Sequence, residues 1–264
     1  MLKGALHVHS TYSDGERTLA ELRRLFIAEG CAFVCLSDHA DAFDPALVQK
    51  YVVECASLSD ERFLLVPGLE FGCDRRMHIV GFGVTSSCAS TEPQEVLAHI
   101  RRANGVSVIA HPPNALFDWI ESFGERPMGI ETWNSKYDGH YAPRASTFRL
   151  LHRLQRQTPS MLAFYGQDLH WLKQYHRLFT VADADVLTPA AILHALRSGA
   201  FHGKKADLEL PSNGAVSEKL LRRFDRVSSR SMLLRRFASR MTKVQKRLGL
   251  ELPPPLKAQL RRLF

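Results

Sequence analysis

Along most of this chain, short apolar runs alternate with longer stretches of helical periodicity, and the short runs tend to end on histidine or a carboxylate. Parallel strands joined by crossover helices produce this layout. The predicted strands cover residues 5–9, 32–37, 63–69, 78–82, 107–110, 129–132 and 161–166. Helical patterns fall between or after them at 19–29, 45–58, 93–103, 144–157 and 189–198. Gly30, Gly105 and Gly199 follow three of these, where a left-handed cap residue is favoured. Seven strands with intervening helices fit an open doubly wound sheet or a closed α/β barrel, and periodicity does not separate the two.

The placement of the reactive residues favours the barrel. His7 and His9 end the first run, Asp38 and His39 follow the second, and Glu70 follows the third. His111 follows the fifth, and Asp168 and His170 follow the seventh. Strand ends converge on one mouth in a barrel, whereas an open sheet spreads them along a line.

Six short motifs carry the chemistry. They are His7-x-His9 with Ser13-Asp14-Gly15, Ser37-Asp38-His39, Gly68-Leu69-Glu70, Met77-His78, Ala110-His111-Pro112 and Asp168-x-His170. Residues i and i+2 of a strand share a face, so His7 and His9 can reach one ion while Asp14 arrives from the next turn. Asp38 aside, the set holds six imidazoles, three carboxylates and no thiolate, a mixture suited to Zn, Mn or Fe in an open hydrolytic site. Each motif alone has a plainer reading as a polar loop pair, a helix cap, a solvated acid or a turn residue. In combination, six of the chain's twelve histidines would have to fall at strand ends independently.

This series resembles the PHP family, named for polymerase and histidinol phosphatase, over roughly residues 5–205. The resemblance implies a distorted seven-stranded (β/α)7 TIM-like barrel with two or three divalent ions at its mouth, and hydrolysis of phosphomonoesters or phosphodiesters. Carried over by residue, His7, His9, Glu70 and Asp168 would hold one ion, and Asp14, His39 and His170 a second. His78 and His111 would hold a third, with Glu70 bridging. Asp38 would orient a metal-bound imidazole, because such rings usually need a carboxylate or carbonyl on the other nitrogen. One departure is Asp14, where some histidinol phosphatases carry a histidine, which leaves the second ion's coordination open.

Such a ligand set makes a hydroxide bridging two ions the nucleophile, so no serine or cysteine attacks phosphorus. Asp168, His170 and Asp38 are then the catalytic candidates, with His170 or a metal-bound water protonating the leaving group. Lys136, after the sixth strand, and Arg75, three residues before His78, are candidates for the phosphate oxygens. A solvated surface charge is the competing reading for both. Trp133 and Asn134 could shape a pocket or, for Trp133, pack the barrel. His99, His140, His152, His176, His194 and His202 show no comparable spacing.

The net charge of +8 looks like a pointer to an anionic partner, but it is uneven. Residues 212–264 hold 14 basic and 3 acidic side chains, which leaves 21 basic against 24 acidic for 1–211. The chain is therefore expected to divide into a metal-binding body at 1–211 and a basic helical tail at 212–264. Apolar positions 220, 224, 227, 234, 237, 241, 244 and 248 give the tail an amphipathic pattern, and Pro253 to Pro255 stop it. Three readings compete for it: a helix packed on the barrel, a peripheral contact with an anionic membrane, and nucleic-acid binding, the least favoured for want of interleaved aromatics.

The implied substrate is a phosphorylated small molecule or nucleotide. The alternatives are an oligonucleotide phosphodiesterase or exonuclease that uses the tail, and a non-catalytic or membrane-associated scaffold. Five scattered cysteines, Cys31, Cys35, Cys55, Cys73 and Cys88, suggest a reducing compartment. With neither a signal-peptide pattern nor a membrane-spanning run, the expected location is cytoplasmic.

Overall fold

The computed structural model describes residues 1–138 and 141–229. In chain order the elements are β1 (Leu2–Val8), α1 (Leu19–Ala28), β2 (Phe33–Leu36), β3 (Asp38–His39), α2 (Pro45–Ser57), β4 (Leu64–Val66) and β5 (Gly68–Cys73). Then come β6 (Met77–Phe82), α3 (Pro93–Arg102), β7 (Val106–Ala110), α4 (Phe117–Glu121), β8 (Gly129–Asn134), α5 (Ala145–Gln155) and β9 (Leu162–Gly166). The last are β10 (Phe179–Ala182), α6 (Pro189–Ser198), β11 (Phe201–Lys205), β12 (Leu208–Pro211) and a helix over 218–229, α7.

Local chemistry sets the helix starts. Thr18 and Glu21 form a reciprocal capping box on α1, and the side chains of Asp44, Glu92 and Thr188 each accept a first-turn N–H of α2, α3 and α6. Proline fills the first turn of the latter three, where its missing N–H costs nothing. Gly199 caps α6 with φ 75, whereas after α3 the left-handed residue is Asn104 (φ 54), not Gly105.

The strands form two six-stranded sheets in a mixed α/β fold, ordered β12-β11-β10-β1-β2-β4 and β3-β5-β6-β7-β8-β9. β2 continues into β3 across Ser37, and β4 into β5 across Pro67. At the other margin, Gln167 N–H donates to Leu6 O (2.9 Å), Leu169 N–H to His7 O (3.2 Å) and His9 N–H to Leu169 O (3.0 Å). All seven predicted strands are present, but β6 is antiparallel to both neighbours instead of a parallel crossover strand. Only Asp74 to Arg76 separate β5 from β6, too few residues for a crossover. Reversal brings His78, near the start of β6, beside Gly72 and Ala110 at the ends of β5 and β7. β10, β11 and β12 add an antiparallel meander beyond β1 that the apolar pattern did not signal.

Alternation along the strands divides the core. Leu6, Phe33, Cys35, Leu64 and Val66 join the main apolar cluster, while Ala5, Val34, Leu36 and Leu65 pack with Leu19, Leu22 and Phe26 of α1 and Tyr51 and Cys55 of α2. Val8 breaks the period by joining the second group. The break has a cause: His7 adopts φ 59, and the pairing of β1 with β2 shifts register between Leu6 and Val8. This bulge inserts one residue into β1 and turns His7 to the side that regular alternation would deny it.

α7 packs on α5. Leu221 and Phe224 are buried, the Phe148 and Phe224 rings lie 6.1 Å apart, and Arg149 pairs with Asp225 at 2.7 Å. The tail's apolar positions from 234 to 248 and its proline stop lie outside the described residues. No helix among the described residues is long and apolar enough to cross a membrane, and the five cysteines are free.

Candidate metal centre

Glu70 stands at the middle of the reactive residues. Its Oε1 lies 3.3 Å from His7 Nε2, 3.1 Å from His78 Nδ1 and 3.3 Å from His111 Nε2, and its Oε2 lies 3.4 Å from His9 Nε2 and 3.2 Å from His39 Nδ1. Asp168 faces it. Asp168 Oδ1 is 3.1 Å from His170 Nδ1 and 3.9 Å from both His7 and His9 Nε2, and Oδ2 is 3.7 Å from His111 Nε2. Asp14, half exposed at the rim, places Oδ1 3.7, 3.6 and 3.3 Å from His9, His39 and His170. All nine residues carried over as metal ligands therefore meet in one cluster.

Donor atoms within 4.8 Å of one another form three groups: His9, Asp14, His39 and His170; His7, His9 and Asp168; His7, Glu70 and His111. The division differs from the one expected: His9 also joins the Asp14 group, Glu70 groups with His7 and His111 instead of with His7, His9 and Asp168, and His78, though 3.1 Å from Glu70, falls in none of the three.

The electrostatics are those of charge packed into a dry space. Burial disfavours ionised Glu70 and Asp168, yet the surrounding imidazoles, His7 foremost, hold both well below the usual carboxylate range. Burial likewise opposes charge on His7, but Glu131, Asp168 and Glu70 outweigh it and raise its pKa well above the usual value. His78 is raised by Glu70 against its own burial. His9 goes the other way: burial, with His7 and His170 nearby, lowers it well below the usual value. Both His9 ring nitrogens and His7 Nε2 are buried without a hydrogen-bond partner. Such orphaned lone pairs, converging with carboxylates, are what a bound cation would satisfy.

The remaining candidates separate. Lys136 reaches the cluster, with Nζ 3.1 Å from Asp168 Oδ1 and 3.3 Å from His170 Nδ1. Arg75 does not: it sits in the turn between β5 and β6 with its guanidinium over the Trp119 ring. Asp38 is buried behind the site, accepting from Ser10 N–H, Ser10 Oγ and Ser13 Oγ at 2.7–2.8 Å. It braces the turn that carries Asp14 instead of orienting an imidazole, and burial raises its pKa. Trp133 packs in the core and His202 sits on β11 near Glu209. His140 lies outside the described residues.

The residue that sequence reasoning passed over is Glu131. Its Oε1 accepts from His7 Nδ1 at 2.7 Å, the contact Asp38 was expected to supply, and its Oε2 accepts the His111 backbone N–H at 2.9 Å. Its signal was the one charged residue in an otherwise uncharged strand, three residues before an asparagine.

No protein-family model matches the chain, and no curated protein matches it significantly in sequence. Among solved structures, an amidohydrolase from Chromobacterium violaceum aligns over 66% of this chain and 89% of its own, with 15% identity and a TM-score of 0.49. A two-domain protein from Bacteroides vulgatus, described as containing a predicted PHP-like metal-dependent phosphoesterase, aligns over 85% of this chain and 69% of its own. The identity is 18% and the TM-score 0.55. That likeness is one of fold, and the fold of this chain is PHP-like.

Proposed function

We propose that this chain is a metal-dependent phosphoesterase of the PHP type. The observation that carries the reading is His9, a buried imidazole with neither ring nitrogen hydrogen-bonded, surrounded by Asp14, Glu70 and Asp168. A histidine kept for packing would cost less as leucine, since an unsatisfied buried polar group costs about 1–3 kcal/mol. The donor set is nitrogen and carboxylate oxygen only, which fits Zn, Mn or Fe better than a structural thiolate site. A seven-membered ring, β1-β2/β3-β4/β5-β6-β7-β8-β9, is supported by the strand continuations and by the bonds from residues 167–169 to β1. In this reading residues 1–211 form the catalytic body and residues 212–264 an accessory segment.

Divalent ions held there would lower the pKa of a coordinated water and neutralise charge on phosphoryl oxygens. His7, His9, Glu70 and Asp168 would hold one, Asp14, His39 and His170 a second, and His78 with His111 a third. Lys136 has three N–H donors, of which Asp168 engages one. Its position at the rim lets another meet a non-bridging phosphoryl oxygen. Asp168 fixes His170 through Nδ1, so Nε2 faces the mouth beside Asp14 and can carry a proton to a departing alkoxide when no ion holds it. Asp38 keeps the Ser10–Ser13 turn, and with it Asp14, in place.

The test is turnover of p-nitrophenyl phosphate and of bis(p-nitrophenyl) phosphate by chelator-treated protein supplied with Mn²⁺, Zn²⁺ or Fe²⁺. Restored turnover that His9→Ala abolishes is expected. Inactivity with every ion would overturn the assignment.

A further inference from the structure

Three of the ligand residues have backbones in the left-handed region: His7 (φ 59), His111 (φ 30) and Asp168 (φ 49). Such conformations are disfavoured for residues with a Cβ and persist only where surrounding contacts over-determine them. The three lie on different segments, yet one buried carboxylate reaches two of them directly and the third through Asn134. Glu131 Oε1 takes the His7 ring at 2.7 Å and Oε2 takes the His111 N–H at 2.9 Å. Oε2 also accepts from Asn134 Nδ2 at 2.8 Å, and the same amide group lies 3.1 Å from Asp168 Oδ2.

The chain is shaped to permit this. β8 shifts register against β9 between Glu131 and Trp133, so Glu131 and Asn134 can meet although their spacing of three would place them on opposite faces of a regular strand. On β9, a Cβ at Gly166 would stand 1.8 Å from Glu131 Oε1. The glycine therefore makes the space that the carboxylate fills.

We infer that Glu131 is a positioning residue for metal capture: through one carboxylate it aims His7 Nε2, the His111 ring and, by way of Asn134, Asp168 at a common point. Its bond to Nδ1 keeps a proton there and turns Nε2 towards Glu70 and Asp168, so Nε2 is the nitrogen that would give up its proton to an ion. The second donor group, His9, Asp14, His39 and His170, contains no direct partner of Glu131. Its ion should be indifferent to the residue.

The inference rests on the metal reading above, and Mn²⁺ alone is the probe. Metal-stripped full-length protein is titrated calorimetrically with Mn²⁺ as wild type, Glu131→Gln and Asn134→Ala, with circular dichroism to confirm folding. Glu131→Gln is expected to weaken one class of Mn²⁺ sites about 10–100-fold and leave the other class unchanged, a split that general loosening would not produce. Asn134→Ala removes the link to Asp168 together with the bonds that Asn134 Oδ1 accepts from Lys136 and Tyr137 N–H, but leaves Glu131 its bonds to His7 and His111; it should weaken the same class by less and serves if Glu131→Gln does not fold. Wild-type affinity at both classes in the folded variants overturns the positioning role, as does equal loss at both. No Mn²⁺ uptake by wild type overturns the metal reading and the inference with it.

Discussion

Gly166→Ala is the sharpest structural test of the arrangement behind the metal ligands. The added methyl would lie 1.8 Å from Glu131 Oε1 and 3.1 Å from His7 Cβ, in a place where contacts below 3.0 Å are not sustained. The carboxylate must therefore retreat by at least about 1.2 Å, which breaks its 2.7 Å bond to His7. A hydrogen bond to a charged group contributes about 1.5–3 kcal/mol. Overpacking a filled site costs about 1–3 kcal/mol. Because one movement relieves part of both, a destabilisation of about 3 kcal/mol is reasonable, and at about 2–4 °C per kcal/mol the melting temperature should fall on the order of 10 °C. Gly72→Ala is the matched control, since nothing lies within 4 Å of a Cβ built there. The assay is thermal unfolding in chelator by circular dichroism. If Gly166→Ala melts like the control, Glu131 is not seated as described.

The remaining expectations concern ions, protons and the C-terminal helix. His7 and His78 are raised, so their contribution to the metal-free protein is full below about pH 6.5 and is lost as pH rises through their folded values. Glu70 and Asp168 are lowered, so theirs is present above the usual carboxylate range and lost as pH falls through the folded values. Because Mn²⁺ must displace the His7 proton, the rise in melting temperature that it causes should grow from pH 5 to pH 8, and a flat or falling gain would contradict this. His9→Leu removes two unpartnered buried nitrogens, so it should raise the melting temperature in chelator while lowering the number of Mn²⁺ ions taken up in calorimetry. Lys136→Met should raise KM for p-nitrophenyl phosphate about 10-fold, the value of one charge-assisted contact, with Mn²⁺ affinity changed far less. Phe224→Ala should cost about 3–5 kcal/mol in urea unfolding, because Phe224 is buried against Phe148.

The residues of the cluster were legible in the sequence because most of them sit at or just after a strand end, where apolar periodicity gives way to a titratable side chain. His78 joins them for a different reason: β6 runs backwards, and its start lies where its neighbours end. The three-residue gap between β5 and β6 held that information, since no crossover fits into it. Spacing placed His7 and His9 on one face, but it did not reveal the bulge that turns that face inward. Glu131 escaped notice because a bulge joins it to Asn134, and a register shift leaves no mark in apolar periodicity. The general need of a metal-bound imidazole for a carboxylate on its other nitrogen predicts that Asp38 orients one. Its carboxylate instead serves Ser10 and Ser13, whose hydroxyls and N–H offered equally good partners nearer the turn.

The charge asymmetry reads differently once the tail is partly placed. The described start of the basic segment, α7, buries Phe224 and packs Leu220 and Val227 on the body, as the packed reading anticipates for those positions, and it also buries Leu221, which lies outside the predicted stripe. Asp225 and Glu218 lie beside Arg149, so part of the segment's small acidic complement faces α5.

On the proposal made above, the nine convergent donors hold divalent ions. Elemental analysis of protein incubated with Mn²⁺ and freed of excess tests it most directly: wild type should retain at least two ions per chain, and His9→Ala/Glu70→Ala should retain fewer. Wild-type protein that retains no ion would contradict the claim.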